Sequence, residues 1–201
     1  MSGKTLDSCF AIHRHEKTGI LFLYKYQGIS RRLTGQKAAH CEAYNFKQFN
    51  HHTSSFKHVV DGLKKITGAD ISVGIPNHQR DTENNISKIC DQLIFSRSKT
   101  RPTRHNDNYA ITVPKELATI RIEKEALAGQ KILLCDDIAT TGQTMAVYRQ
   151  VIRENQGEVV ACFSIGHARQ TKKCQPQHVV CLIDKYDAAD DLDKLLLAMI
   201  L

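Results

Sequence analysis

Apolar residues recur along the chain with two periods, one of about two residues and one of three to four, and the period changes at turn-forming residues. Between Phe10 and Tyr26, the positions Ile20, Phe22, Tyr24 and Tyr26 alternate with other residues beyond the turn-prone HEKTG, which predicts a β-hairpin. Residues 27 to 53 are polar, rich in His, Gln and Lys, and read as an irregular or partly helical link. Phe56, Val59, Val60, Leu63 and Ile66 then follow at spacings of three and four, with Ser54 or Ser55 placed to cap a helix and Gly68 placed to end it. A strand over Asp70 to Ile75 stops at Pro76, and Ile86, Ile89, Cys90, Leu93 and Ile94 predict one side of a second helix.

Residues 96 to 119 lose periodicity, the signature of a long loop such as a lid or binding segment. Gly129 resets the chain before the apolar strand Ile132 to Cys135. From Thr144 onward Met145, Tyr148, Val151 and Ile152 repeat at helical spacing until Gly157, and Val159 to Ile165 reads as the next strand. Strand, loop, helix, strand is the repeating unit of a parallel α/β sheet. A strand over Val179 to Ile183 and an amphipathic helix from about Ala189 complete the pattern, which contains no internal repeat.

Composition narrows this picture. A chain of 201 residues, 41% of them hydrophobic, supports one substantial core. The longest apolar runs, Ile20 to Leu23 and Leu195 to Leu201, fall far short of the roughly 20 residues that span a bilayer, and no signal-peptide hydrophobic region opens the sequence. A cytoplasmic protein without a membrane partner is expected. Seven cysteines without a CxxC pair signal neither a disulfide framework nor a zinc ribbon. His13, His15, His40, Cys41, His51 and His52, with Cys9 nearby, match no standard zinc spacing, so no directly ligated metal is expected. The formal charge of +7 favours polyanionic partners, either nucleic acid or phosphorylated metabolites. Basic residues concentrate in RSKTRPTR, from Arg97 to Arg104, which reads equally as a grip on phosphate or as a solvated charge run.

The most informative stretch is KILLCDDIATTGQT, from Lys131 to Thr144. Ile132 to Cys135 are continuously apolar, as befits a parallel strand buried on both faces, so Asp136 and Asp137 emerge where the strand leaves the core. Ligands of open α/β sheets bind beyond the carboxyl ends of the strands. The turn from Ala139 to Thr144 has small side chains that let backbone N–H groups approach an anion, and it carries three threonine hydroxyls. The following helix points its positive end at the same place. Two carboxylates beside an anion cradle suit a ligand that bears both hydroxyls and a phosphate, as ribose 5-phosphate does. A Walker B strand is the competing reading of apolar residues before Asp-Asp, but no GxxxxGK[ST] occurs in the chain.

ILLCDDIATTGQT resembles the signature of type I phosphoribosyltransferases. The resemblance implies an α/β fold with a central parallel sheet flanked by helices and a small variable hood. Residues 1–52 would contribute the hairpin, the irregular segment and a hood, and residues 53–201 the core. It further implies that Ala139, Thr140, Thr141, Gly142, Gln143 and Thr144 form the loop for the 5-phosphate of phosphoribosyl pyrophosphate (PRPP). Asp136 and Asp137 would hold the ribose hydroxyls and support positive charge in the transition state. The pyrophosphate loop of the family falls at the end of an earlier strand, where Pro76, Asn77, His78 and Arg80 stand, with Arg101 and Arg104 as further candidates. VGIPNH and GHARQ are similar to segments of ComF-like members, so the chain reads as a divergent ComF-like relative and not as a purine or pyrimidine salvage enzyme. The implied chemistry is Mg2+-assisted transfer of ribosyl 5-phosphate from PRPP to a nitrogen acceptor, with pyrophosphate released and a homodimer as the common assembly. The alternative is a non-catalytic PRPP sensor or nucleic-acid-associated regulator on the same fold.

Overall fold

The computed structural model describes residues 9–25, 53–79, 85–101, 112–167 and 176–181. Strands β1 (Cys9–Arg14) and β2 (Leu21–Lys25) form the expected hairpin, with His13 opposite Phe22 and Arg14 opposite Leu21. Helix α1 (Thr53–Thr67) buries Phe56, Val59, Val60 and Leu63, while Ile66 stays 37% exposed. Gly68, at φ 68°, turns the chain out of the helix in the left-handed conformation that glycine adopts without steric cost. β3 (Ile71–Gly74), β6 (Lys131–Ala139), helix α3 (Gln143–Glu154) and β7 (Glu158–His167) follow the predicted strand and helix pattern. β8 (Pro176–Cys181) begins three residues before the strand expected at Val179. The helix expected near Ala189 and the link at 27 to 53, apart from Thr53 itself, lie outside the described residues.

One expected element is replaced. Where a second helix was predicted through Ile86 to Ile94, the described chain makes a single 3-10 turn, Asn85–Lys88, and then the short strand β4 (Phe95–Arg97). Ile86, Ile89 and Ile94 are buried as the pattern required, but Leu93 is 58% exposed. Asp91 accounts for the break: its carboxylate accepts hydrogen bonds from the Ser72 N–H and the Ser72 hydroxyl, each at 2.9 Å, which ties this segment to β3 in place of helical bonding. The aperiodic region 96 to 119 also contains structure. Helix α2 (Val113–Leu117) leads to β5 (Ile120–Ile122), which pairs antiparallel with β4 as a two-stranded ribbon.

The main sheet has six strands in the order β3-β6-β7-β2-β1-β8. The pairs β3–β6, β6–β7 and β7–β2 are parallel, and β2–β1 and β1–β8 are antiparallel. The hairpin, which the resemblance grouped with a hood, and β8 both hydrogen-bond into this sheet. Leu133, Cys135, Phe163 and Ile165 pack on one face with α1, while Ile132, Leu134 and Cys162 pack on the other with Met145, Tyr148, Val151 and Ile152 of α3. β6 is thus apolar on both faces because helices cover both. Among the described residues no helix is long and apolar enough to cross a membrane.

An aromatic stack lies where β7 meets the hairpin. The rings of His15 and His167 stack at 4.1 Å, and Phe22 lies 5.4 Å from His167 and 5.5 Å from His13. Burial, assisted by the neighbouring His15, pushes His167 down to about 4, so the folded protein holds it neutral where an unfolded histidine would begin to protonate.

Two outcomes follow from this packing. Leu133→Ala removes side-chain contacts from the centre of the sheet and is expected to lower stability by about 2–5 kcal/mol in urea unfolding; a loss below about 1 kcal/mol would contradict the core described. Between about pH 6.5 and pH 4 the unfolded chain binds a proton at His167 that the folded chain refuses, so stability falls as pH falls through that window. Unfolding midpoints measured across this range should slope less steeply in His167→Gln than in the parent, and identical slopes would be the contrary result.

Candidate active site

The site forms at the carboxyl ends of β3, β6 and β7. β6 is held on both sides: Gly74 of β3 aligns with Cys135, and Ser164 and His167 of β7 align with Asp136 and Ala139. The Ile75 N–H donates to the Cys135 carbonyl at 2.8 Å, so the loop after β3 starts beside the residue that precedes the acidic pair. The topology thereby brings together the predicted ribose carboxylates and the predicted pyrophosphate loop, which are about 60 positions apart in the chain.

Asp136 and Asp137 are half-buried. The Asp137 N–H donates to Asp136 Oδ1 at 2.9 Å, and the Ile138 N–H donates to Asp137 Oδ1 at 2.6 Å. Each carboxylate thus bonds the backbone immediately after it, which fixes its direction. Side-chain alternation also breaks here. Cys135 and Ile138 pack on the α1 side although they are three positions apart, and Ala139 packs on the α3 side. The acidic pair lies between these residues, in continuous register with β7.

Beyond Ala139, which is buried, the chain makes the turn through Thr140 and Thr141 to Gly142. Gly142 is the N-cap of α3 at φ 76° and ψ 0°. A Cβ here would lie 3.1 Å from both Thr18 Cγ2 and Ile20 Cδ1, so the left-handed backbone favours glycine and the hairpin turn leaves little room for a side chain. Thr141 Oγ1 accepts from the Gln143 N–H at 3.5 Å. The remaining N–H groups of the first turn of α3 have no partner within the helix, and the helix dipole adds to their attraction for an anion. On the hairpin side of this loop lies a cavity of about 190 Å³ lined by Thr18, Ile20, Gly142, Gln143, Arg149 and Cys162. A larger groove of about 570 Å³ runs along α3 past Arg149 and Arg153 to Val159, and its walls include neither carboxylate.

The basic segment takes a form that the sequence does not announce. Arg97 and Arg101 both bind Glu116 of α2, at 2.9 Å and 3.1 Å, and Glu116 is completely buried. Tyr148 of α3 donates its hydroxyl to the same carboxylate at 2.6 Å. Burial and the adjacent Glu116 raise the Tyr148 phenol well above its ordinary range, so it remains a donor. Removing one member of such a buried ionic cluster costs about 3–5 kcal/mol because a charge is left uncompensated. Of the two readings of the basic run, the solvated one fails for Arg97, whose side chain is 2% exposed. Arg101 is 12% exposed at its side chain. Arg80 and Arg104 lie outside the described residues. Pro76, Asn77 and His78 follow β3 as expected, and the Asn77 side chain accepts from the His78 N–H at 2.9 Å. Among the described residues no three His, Cys, Asp or Glu side chains gather in a metal-binding group. Carboxylate and hydroxyl oxygens at the end of β6 are hard donors of the kind that suits Mg2+ carried in by a phosphorylated ligand.

Sequence reasoning passed over Glu116 and the polar role of Tyr148. Tyr148 fits the apolar repeat of α3 so well that its hydroxyl drew no notice, and Glu116 lies in a segment without periodicity. Their separation of 32 positions leaves no local signal.

No family model matches the chain. It is similar to adenine phosphoribosyltransferase of Cricetulus griseus, at 36% identity over 74 residues, which are 36% of this chain and 40% of that protein. The enzyme of the same name from Trichlorobacter lovleyi is 44% identical over 45 residues, 22% of this chain and 26% of that protein. The Rattus norvegicus counterpart is 34% identical over 74 residues, again 36% of this chain and 40% of that protein. The chain therefore spans about two fifths of the length of the Cricetulus griseus and Rattus norvegicus proteins and about a quarter of that of the Trichlorobacter lovleyi protein. These relatives are named for a purine acceptor, whereas the sequence resemblance favoured ComF-like proteins over the salvage enzymes. Modest identity over part of the chain, together with a mostly parallel sheet flanked by helices, supports a relationship to the type I phosphoribosyltransferases.

Proposed function

We propose that this protein binds PRPP with Mg2+ and transfers its ribosyl 5-phosphate to a nitrogen acceptor. The observation that carries the reading is the continuity of β6, the acidic pair and the glycine-capped start of α3, which sets two carboxylates next to an anion-binding helix terminus. Thr140, Thr141, Gly142, Gln143 and Thr144 surround the 5-phosphate through backbone N–H groups and hydroxyls. Asp136 and Asp137 accept hydrogen bonds from the ribose hydroxyls. Pro76, Asn77 and His78 face the pyrophosphate. Mg2+ supplies charge neutralisation of that leaving group when it is bound.

In the reaction, the bond from C1 of the ribose to the pyrophosphate oxygen breaks and the electron pair leaves with pyrophosphate. The acceptor nitrogen forms the new bond to C1 and gives up its proton to solvent water. Positive charge that develops on the ring is stabilised by the two carboxylates, which are fixed in place beforehand by their own backbone bonds. Adenine is the first acceptor to test, since the relatives carry it in their name. A ComF-like subtype rests on VGIPNH and GHARQ. The second reading, a regulator that binds PRPP and nucleic acid without turnover, draws on Arg149 and Arg153, which line the groove along α3.

PRPP with Mg2+ should raise the unfolding temperature, because ligand at a hundredfold excess over its Kd adds about 2.7 kcal/mol to stability. The double variant Asp136→Asn, Asp137→Asn should fold and lose about tenfold or more in PRPP affinity, the scale of a lost hydrogen bond to a charged group. A folded double variant that binds PRPP as the parent does would overturn the assignment.

A further inference from the structure

The segment 85–91 lies over the end of β3 on the α1 side of the sheet. Ile86 and Ile89 are buried in the cluster beneath α1, and Cys90 packs against the same cluster, which also contains Cys135 of β6. Gly74, the β3 residue aligned with Cys135, makes this arrangement possible. A Cβ on Gly74 would lie 3.1 Å from Ile86 Cγ2 and 3.6 Å from Cys90 Sγ, so the segment occupies the space that a side chain on β3 would fill. With nothing between them, Cys90 reaches over β3, and its thiol and that of Cys135 are hydrogen-bond partners.

Both sulfurs are held in place by the backbone around them. The Asp91 N–H donates to Ser72 Oγ at 2.9 Å and the Asp91 carboxylate accepts from the Ser72 N–H at 2.9 Å, which fixes Cys90 against β3. Cys135 is enclosed in β6 between β3 and β7. The two thiols differ in access: Cys90 is half-buried and Cys135 is buried. Burial, reinforced by Cys90, pushes the Cys135 thiol well above its ordinary range, so it stays protonated. The thiolate is the reactive form of cysteine, and an oxidant from solvent therefore meets Cys90 first. Cys162 belongs to the cluster on the α3 side, across the sheet from Cys135.

We propose that Cys90 and Cys135 form an oxidisable dithiol that a hydroperoxide converts to a disulfide. The Cys90 thiolate attacks one peroxide oxygen, the O–O bond breaks, and Cys90 becomes a sulfenic acid while the departing hydroxide takes up the Cys90 proton as water. The Cys135 sulfur then attacks the Cys90 sulfur, the S–O bond breaks, and the second hydroxide leaves as water with the Cys135 proton. Two thiols are oxidised and hydrogen peroxide is reduced to two waters. The disulfide straps the segment 85–91 across β3 to β6, one residue before Asp136, and a dithiol reductant opens it by exchange. The site stands whether or not the end of β6 binds PRPP.

The test treats the folded protein, in dilute solution, with hydrogen peroxide, then alkylates the remaining thiols in denaturant and maps the tryptic peptides without reductant by mass spectrometry. Trypsin places Cys90 in the peptide 89–97 and Cys135 in the peptide 132–149, each with a single cysteine. The expected product is these two peptides joined, from protein that runs as a single chain on a non-reducing gel, and dithiothreitol should separate them. In Cys90→Ser the Cys135 thiol should be consumed at least about tenfold more slowly than in the parent, because a buried thiol keeps little thiolate. Sulfinic acid at Cys90 with Cys135 still alkylated, either cysteine joined to a different partner, or both thiols left intact would overturn the proposal. Equal consumption of Cys135 in the parent and in Cys90→Ser would overturn it as well.

Discussion

The site depends on one constraint, that β6 is hydrogen-bonded on both sides and covered on both faces. β3 and β7 fix its register, and α1 and α3 bury Ile132 to Cys135 completely. A strand so enclosed can place polar residues only where it leaves the sheet. That is where Asp136 and Asp137 stand, with the side-chain alternation broken between Cys135 and Ile138. The carboxylates then bond to the next backbone N–H groups, so their orientation is fixed before any ligand arrives.

A second, polar constraint fastens the surrounding segments to that strand. Glu116, fully buried, gathers Arg97 from β4, Arg101 from the segment just after β4, and Tyr148 from α3. A buried ionic cluster contributes little net stability compared with a packed apolar one, but it tolerates few geometries. It ties the loop after β3, through Arg97, to α3, through Tyr148, in a single arrangement.

Much of this was legible in the sequence because it rests on local periodicity. The hairpin, α1, β6, α3 and β7 all carry uninterrupted patterns, and the acidic pair with its small-residue turn stood out against them. The second helix was misread because Ile86, Ile89 and Ile94 are buried, as a helix would require, yet Asp91 bonds Ser72 across 19 positions and ends helical geometry. β4 and β5 have three residues each, too few for alternation to register. The loop after β3 could be placed by the strand and proline before it, but its anchoring could not, because Arg97 reaches it from 20 positions away. The placement of Arg97 and Arg101 was set by one buried acid in a segment without pattern.

The central claim, that the end of β6 and the start of α3 hold a phosphorylated ribose, is tested most directly by phosphorus NMR of PRPP titrated with the protein in the presence of Mg2+. The account predicts saturable changes in both the 5-phosphate and the pyrophosphate resonances, with the 5-phosphate response reduced in Thr141→Val. Resonances that stay unchanged with protein at stoichiometric concentration, or that change identically in the parent and in Thr141→Val, would contradict it.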